Sequence, residues 1–197
     1  MAEVSSDMIK ELREKTQAGM LDCKKALIET GGDMDKSVEL LRKKGLAAAD
    51  KKMGREATEG IIASYIHSNQ KIGVLLELRT VTDFVARNED FQILAKELCM
   101  QIAAACPLYI NKEEVPADML EKEREIYREQ LKQSGKPDNV IEKIVEGKLN
   151  KFYSDVCLLE QEYIKDNKII IKDLIKEKIA TYGENIEVGR FSRFQIG

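Results

Sequence analysis
The sequence predicts an α+β fold in which a three-helix bundle precedes a small antiparallel sheet packed with helices and extended by an antiparallel helical hairpin. Three observations predict it. Before Lys52, apolar residues recur at helical spacing and are punctuated by glycines. From Ile61 to Thr80 they alternate with period two, and beyond Asn88 the helical period returns until a last alternating segment at Ile186–Ile196.

Taken in order, Ser6 and Asp7 are candidate caps for a helix carrying Ile9 and Leu12, which Thr16-Gln17-Ala18-Gly19 ends. Met20 and Leu21 start a second helix that includes Ala26, Leu27 and Ile28 and breaks at Gly31-Gly32. Asp33 caps a third with Val38, Leu40 and Leu41 on its apolar side, closed at Gly45. Residues 47–59 read as a linker. Ile61–His67 and Ile72–Thr80 form a β-hairpin around Ser68-Asn69-Gln70-Lys71, because Val74, Leu76 and Leu78 alternate with Gly73, Glu77 and Arg79. Asn88 caps a helix with Phe91, Leu94, Ala95, Leu98, Ile102 and Ala105 on one face, stopped by Pro107. Pro116 opens a charged helix that Ser134-Gly135-Lys136-Pro137 turns into a second, bearing Ile141, Ile144, Val145, Leu149 and Phe152. Val156–Ile164 reads as a strand, Asp166-Asn167-Lys168 as a turn, Lys172–Tyr182 as a helix closed by Gly183, and Ile186–Ile196 as a strand. The expected domains are residues 1–53, bundle and linker, and 54–197, a core made of hairpin and helix (59–106), helical hairpin (116–153) and C-terminal β-α-β (155–197).

A chain of 197 residues with 43% hydrophobic and 34% charged residues can bury a core and lacks the composition of a disordered chain. Its net charge of -3 and its interleaved acidic and basic residues supply no phosphate-neutralising stripe, so no broad nucleic-acid partner is expected, although a local RNA contact stays open. No run reaches the length of a membrane span, and Met1–Lys10 lacks the basic start and apolar stretch of a secretory signal; the expectation is a cytoplasmic protein without a membrane partner. Cys23, Cys99, Cys106 and Cys157 form no C-x-x-C pair and read as reduced, buried structural thiols. Cys99 and Cys106 lie about two helical turns, roughly 10 Å, apart, too far for a disulfide.

No phosphate-binding glycine loop, dinucleotide fingerprint or zinc-binding histidine pair occurs, and the lone His67 falls beside the hairpin turn. Runs such as Glu121-Lys122-Glu123-Arg124-Glu125 read as solvated helix faces. The expectation is therefore a protein without catalytic residues, cofactor or metal. One stretch resists a purely structural explanation: Thr82-Asp83-Phe84-Val85-Ala86-Arg87-Asn88-Glu89-Asp90-Phe91. Val85 and Phe91 suit a core, but Asp83-Phe84, an aromatic beside a carboxylate at the end of a rigid hairpin, is placed to anchor a partner.

This T-D-F-V-A-R-N-E-D-F stretch resembles the signature of the elongation factor Ts family. Ile9–Thr16 and Gly19–Leu27 are similar to that family's opening helices, and Gln133–Pro137, Val145–Leu149 and Arg190–Phe194 also match, in the right order over essentially the whole chain. The resemblance implies a ubiquitin-associated-like N-terminal module, a core with a small antiparallel sheet and helical hairpin, and a nucleotide-exchange role toward elongation factor Tu in its GDP-bound and nucleotide-free states. It implies that Asp83 and Phe84, flanked by Thr82 and Val85, contact the G domain of elongation factor Tu, that Met20, Leu21 and Lys24 dock nearby, and that Lys52 makes a further contact. Thr80-Val81 departs from the Cys-Glu or Cys-Gln often found before the signature, which alters the loop's support more than its tip. Longer family members resemble a core with two related halves; this chain has one, and a homodimer would supply the other. The rival reading is a binding module without exchange activity, with Met20 and Leu21 as its recognition patch.

Overall fold
The computed structural model describes residues 4–16, 18–132 and 137–197; Met1–Glu3, Gln17 of the turn expected at Thr16–Gly19 and Gln133–Lys136, most of which belong to the turn expected at Ser134–Pro137, lie outside the described residues. The elements are α1 (Ser6–Thr16), α2 (Met20–Glu29), α3 (Met34–Asp50), β1 (Glu59–Ile66), β2 (Ile72–Thr80), α4 (Asp83–Ala86), α5 (Glu89–Ala105), α6 (Ala117–Lys132), α7 (Asp138–Val156), β3 (Glu162–Tyr163), β4 (Asp166–Ile170), α8 (Ile171–Tyr182) and β5 (Ile186–Gln195). The protein is α+β, and its strands form a three-stranded sheet ordered β1-β2-β5 and a two-stranded β3-β4 ribbon.

The chain divides into two compact units. One comprises residues 1–60, 79–86 and 174–187. Its helices α1, α2 and α3 pack around Leu12, Cys23, Ala26, Leu27 and Leu41, with Met8, Ile9, Met34 and Val38 against them. The cap of α1 is Ser5 rather than Ser6 or Asp7: the Ser5 hydroxyl accepts from the Met8 amide at 3.2 Å, the third helical amide, which leaves Asp7 in the first turn where a negative charge suits the helix dipole. Asp33 caps α3 as expected, accepting from the Lys36 amide at 3.0 Å. Gly45 does not close α3, which runs on to Asp50. A Cβ at Gly45 would lie 3.2 Å from the Ala180 Cβ, so this glycine permits close approach of α8 instead of ending a helix. Arg42–Glu177 (2.8 Å) and Lys176–Asp50 (2.7 Å) ion pairs flank the same contact.

The other unit comprises residues 61–78, 87–173 and 188–197. Val74, Leu76 and Leu78 of β2 face inward, and α5 buries Phe91, Leu94, Ala95, Leu98 and Ile102. The Arg193 guanidinium of β5 donates to the Ala103 carbonyl of α5 at 3.0 and 3.2 Å. Asn88 caps α5 as expected by accepting from the Asp90 amide at 2.9 Å. Helices α6 and α7 form the antiparallel hairpin, joined by Ile141, Val145 and Leu149 with Tyr127 and Leu131, and laced outside by Arg128–Glu142 at 2.7 Å.

The strand expected at Val156–Ile164 is overturned. Helix α7 continues through Val156, Leu158–Glu160 form a short 3-10 turn, and only Glu162–Tyr163 are extended. The amides of Leu158 and Leu159 donate instead to the carbonyls of Tyr109 and Ile110. The buried Gln161 donates to the Ala105 and Asp155 carbonyls, and its side-chain oxygen accepts from Gln101 at 3.2 Å. These non-local bonds satisfy a backbone that an apolar run alone would place in a ladder. Asp166-Asn167-Lys168, expected as a turn, opens β4, and the turn falls at residues 164–165. Among the described residues no helix is long and apolar enough to cross a membrane.

Candidate functional site
The signature stretch begins where β2 ends. Thr80, the last strand residue, is fully buried, and Asp83–Ala86 form the single-turn helix α4 in a segment expected only as a connection. Thr82 occupies the cap position of that turn: its carbonyl accepts from the Ala86 amide at 3.3 Å, and its hydroxyl lies 3.5 Å from the Val85 amide. One helical turn rotates successive side chains by about 100°, so consecutive residues cannot share an environment. Val85 and Ala86 are buried, Asp83 is exposed, and Phe84 is 82% exposed. Phe91 is buried as its helical spacing requires.

The support of this turn comes from a residue that the sequence reading passed over. The Glu184 carboxylate accepts from the Thr80 hydroxyl at 3.2 Å, the Thr82 amide at 3.0 Å and the Thr82 hydroxyl at 2.8 and 3.0 Å. Its partners lie 102 and 104 residues away, so no local spacing marks it; the only local sign is its place directly after the helix-ending Gly183. Gly183 has φ of +77°, and its amide closes the last turn of α8 on the Ile179 carbonyl at 2.9 Å. A Cβ there would stand 3.2 Å from the Lys52 ammonium. The Lys52 ammonium thus lies beside Gly183, the residue that precedes Glu184. Asn185 follows, donating to the Arg55 carbonyl at 2.8 Å.

Met20, Leu21 and Lys24 form a second patch on the outer side of α2. Cys23, Ala26 and Leu27 point into the bundle, which leaves Met20 52% and Leu21 73% exposed. Ile28, read from the sequence as part of the apolar set, is also exposed. Four residues beyond Lys24, it extends the patch along one side of the helix, and that spacing was the available signal. The exposed Lys24 supplies a cation within it.

His67 sits by the hairpin turn, its Nδ1 2.9 Å from the Tyr65 hydroxyl. Among the described residues no group of His, Cys, Asp and Glu is placed to hold a metal ion. The chemistry on display is that of contact: an exposed aromatic on a fixed turn and an apolar patch with a lysine.

A family model described as elongation factor TS matches residues 6–197. The elongation factor Ts of Fervidobacterium nodosum is 62% identical over 195 residues, covering 99% of each chain. That of Thermotoga petrophila is 60% identical, covering 99% of this chain and 97% of its own, and that of Desulforamulus reducens is 57% identical, covering 100% and 91%. Full-length identity of this order, joined to the signature turn, means that the chain belongs to the elongation factor Ts family of translation elongation factors.

Proposed function
We propose that the protein is a guanine-nucleotide exchange factor for elongation factor Tu that acts by binding and has no catalytic residue of its own. The observation that carries this reading is Phe84, an aromatic side chain held out from a turn whose next two residues are buried. Exchange requires the factor to bind nucleotide-free elongation factor Tu more tightly than the GDP form, since equal binding shifts nothing. By linkage GDP weakens the factor by the ratio with which the factor weakens GDP, each tenfold step being about 1.4 kcal/mol.

Phe84 is the wedge in this reading. It displaces a helix of the G domain and so disturbs the magnesium and phosphate sites, while Asp83, with Thr82 beside it, fixes the approach and Val85 anchors the turn from within. Met20, Leu21, Lys24 and Lys52 supply docking that does not discriminate between nucleotide states. Stopped-flow release of fluorescent GDP from elongation factor Tu tests it. Phe84→Ala lowers the maximal release rate at least about tenfold, a change of roughly 1.4 kcal/mol in barrier, with docking little altered. Release at the wild-type rate in that variant ends the wedge, and no acceleration by the wild type leaves a binding module that uses the α2 patch.

We infer, too, that the protein works in the cytoplasm as a homodimer. The sheet order makes β1 and β5 its edge strands, and the face opposite Val74, Leu76 and Leu78 carries exposed Ile62, Ile66, Leu75 and Phe194.

A further inference from the structure
A helix of four residues has no stability of its own, because nucleation fixes several dihedral angles before propagation returns anything. Phe84, 82% exposed, gains no orientation from packing either. Something else must hold the aromatic in one direction if it is to act as a wedge rather than as a mobile side chain, and the turn is fixed on one side by the buried pair Val85-Ala86 and on the other by the cap residue Thr82.

Three hydrogens converge on Glu184: the Thr80 hydroxyl, the Thr82 amide and the Thr82 hydroxyl. An ionised carboxylate is an acceptor at both oxygens and satisfies all three. It also settles the direction of the Thr82 hydroxyl hydrogen, which goes to Glu184 and leaves the oxygen lone pairs facing the Val85 amide 3.5 Å away. An amide in this place would offer one oxygen and turn N–H groups toward donors. We propose that Glu184 is the positioning residue of the exchange wedge: it holds the cap of α4 through Thr82, with Thr80 as its second anchor, and thereby sets the direction of Phe84. Thr80 matters here because its fully buried hydroxyl donates to the Glu184 carboxylate at 3.2 Å and ties it to the end of β2. The inference rests on the exchange reading for its effect on rate, but the clamp itself is observable in the free protein.

Two measurements separate these layers. In the isolated protein, hydrogen exchange of the Thr82 and Ala86 amides reads the clamp directly; Glu184→Gln and Thr82→Val each accelerate exchange there at least about tenfold, while amides of the α5 core keep their protection. In stopped-flow GDP release, Glu184→Gln lowers the maximal rate about tenfold and changes the half-saturating concentration less than about threefold, and Thr82→Ser, which keeps the hydroxyl, restores most of what Thr82→Val loses. On a Phe84→Ala background Glu184→Gln costs nothing further, because it acts through the missing ring. Unchanged Thr82 and Ala86 exchange in both clamp variants overturns the proposal whether or not the wild type accelerates GDP release. Loss of protection throughout α5, or the same fold-loss of rate with and without Phe84, overturns it by making Glu184 a general structural residue. Absence of wild-type acceleration, with local exchange behaving as stated, removes the exchange reading and leaves the clamp standing.

Discussion
Phe84 and Val85 are adjacent and have opposite fates, one 82% exposed and the other buried, and the difference is a matter of rotation around a single turn. That turn depends on residues a hundred positions away, so single substitutions at its foot act at a distance from the aromatic they affect. Gly183 is the sharpest case. Its φ of +77° is costly for any side chain, and a Cβ would press on the Lys52 ammonium. Gly183→Ala is expected to destabilise the protein by about 1–2 kcal/mol and shift the Glu184 backbone, read as a lower midpoint in chemical unfolding. The α2 patch makes the complementary prediction: Leu21→Asp leaves the unfolding midpoint nearly unchanged, since the residue is 73% exposed, yet raises the concentration of factor needed for half-maximal GDP release several-fold. An equal loss at saturating factor would show that the patch discriminates between nucleotide states after all.

At the level of elements, the contact of α3 with α8 shows how a residue type that usually stops a helix is used inside one. Gly45 admits Ala180 at a distance too short for a second Cβ to be comfortable. Gly45→Val, which adds two further methyl groups there, is expected to cost about 1–3 kcal/mol by overpacking, measured by thermal unfolding, despite valine's better helix propensity. The same position explains part of what the sequence reveals and hides. Helices α2, α5 and α7 and the β1-β2 hairpin were legible because their apolar period follows from their own packed faces, and the Asp33 and Asn88 caps were legible because a cap acts within three residues. The end of α3, the 3-10 turn at Leu158–Glu160 and the role of Glu184 were not, because each is decided by a partner distant in the chain: Ala180, the Tyr109 and Ile110 carbonyls, and Thr80 with Thr82. In the signature the exposed Asp83-Phe84 and the buried Val85 follow the sequence reading, whereas the helical turn that separates them does not show in the period of four residues.

At the scale of the whole molecule, two buried thiols and an exposed apolar sheet face each make a prediction. Burial pushes the Cys99 thiol up to about 11 from 9.0, and burial first, then the Glu160 carboxylate, does the same for Cys157. Below pH 9 both states hold these protons; between about 9 and 11 the unfolded chain releases them while the native state keeps them, so stability falls as pH rises through that window. The urea midpoint is expected to drop from about pH 8 to about pH 10.5, and to drop less in the Cys99→Ala, Cys157→Ala variant. The interface prediction rests on which face of the sheet is bare. Val74, Leu76 and Leu78 take one face; Ile66 reaches within 3.1 Å of where a Gly73 Cβ would stand, which places it with Leu75 on the other. Arg190 bonds Glu77 at 2.7 Å across that second face, so Phe194, four residues along β5, belongs to it too. Four exposed apolar side chains on one face of the sheet match a self-complementary surface, for which a stable pair buries about 800 Å² per partner. Light scattering at micromolar concentration is expected to give twice 22.4 kDa for the wild type and 22.4 kDa for Ile66→Asp, a charge that a dry interface cannot accept. A wild type that scatters as 22.4 kDa at that concentration would place the whole exchange function in the single copy.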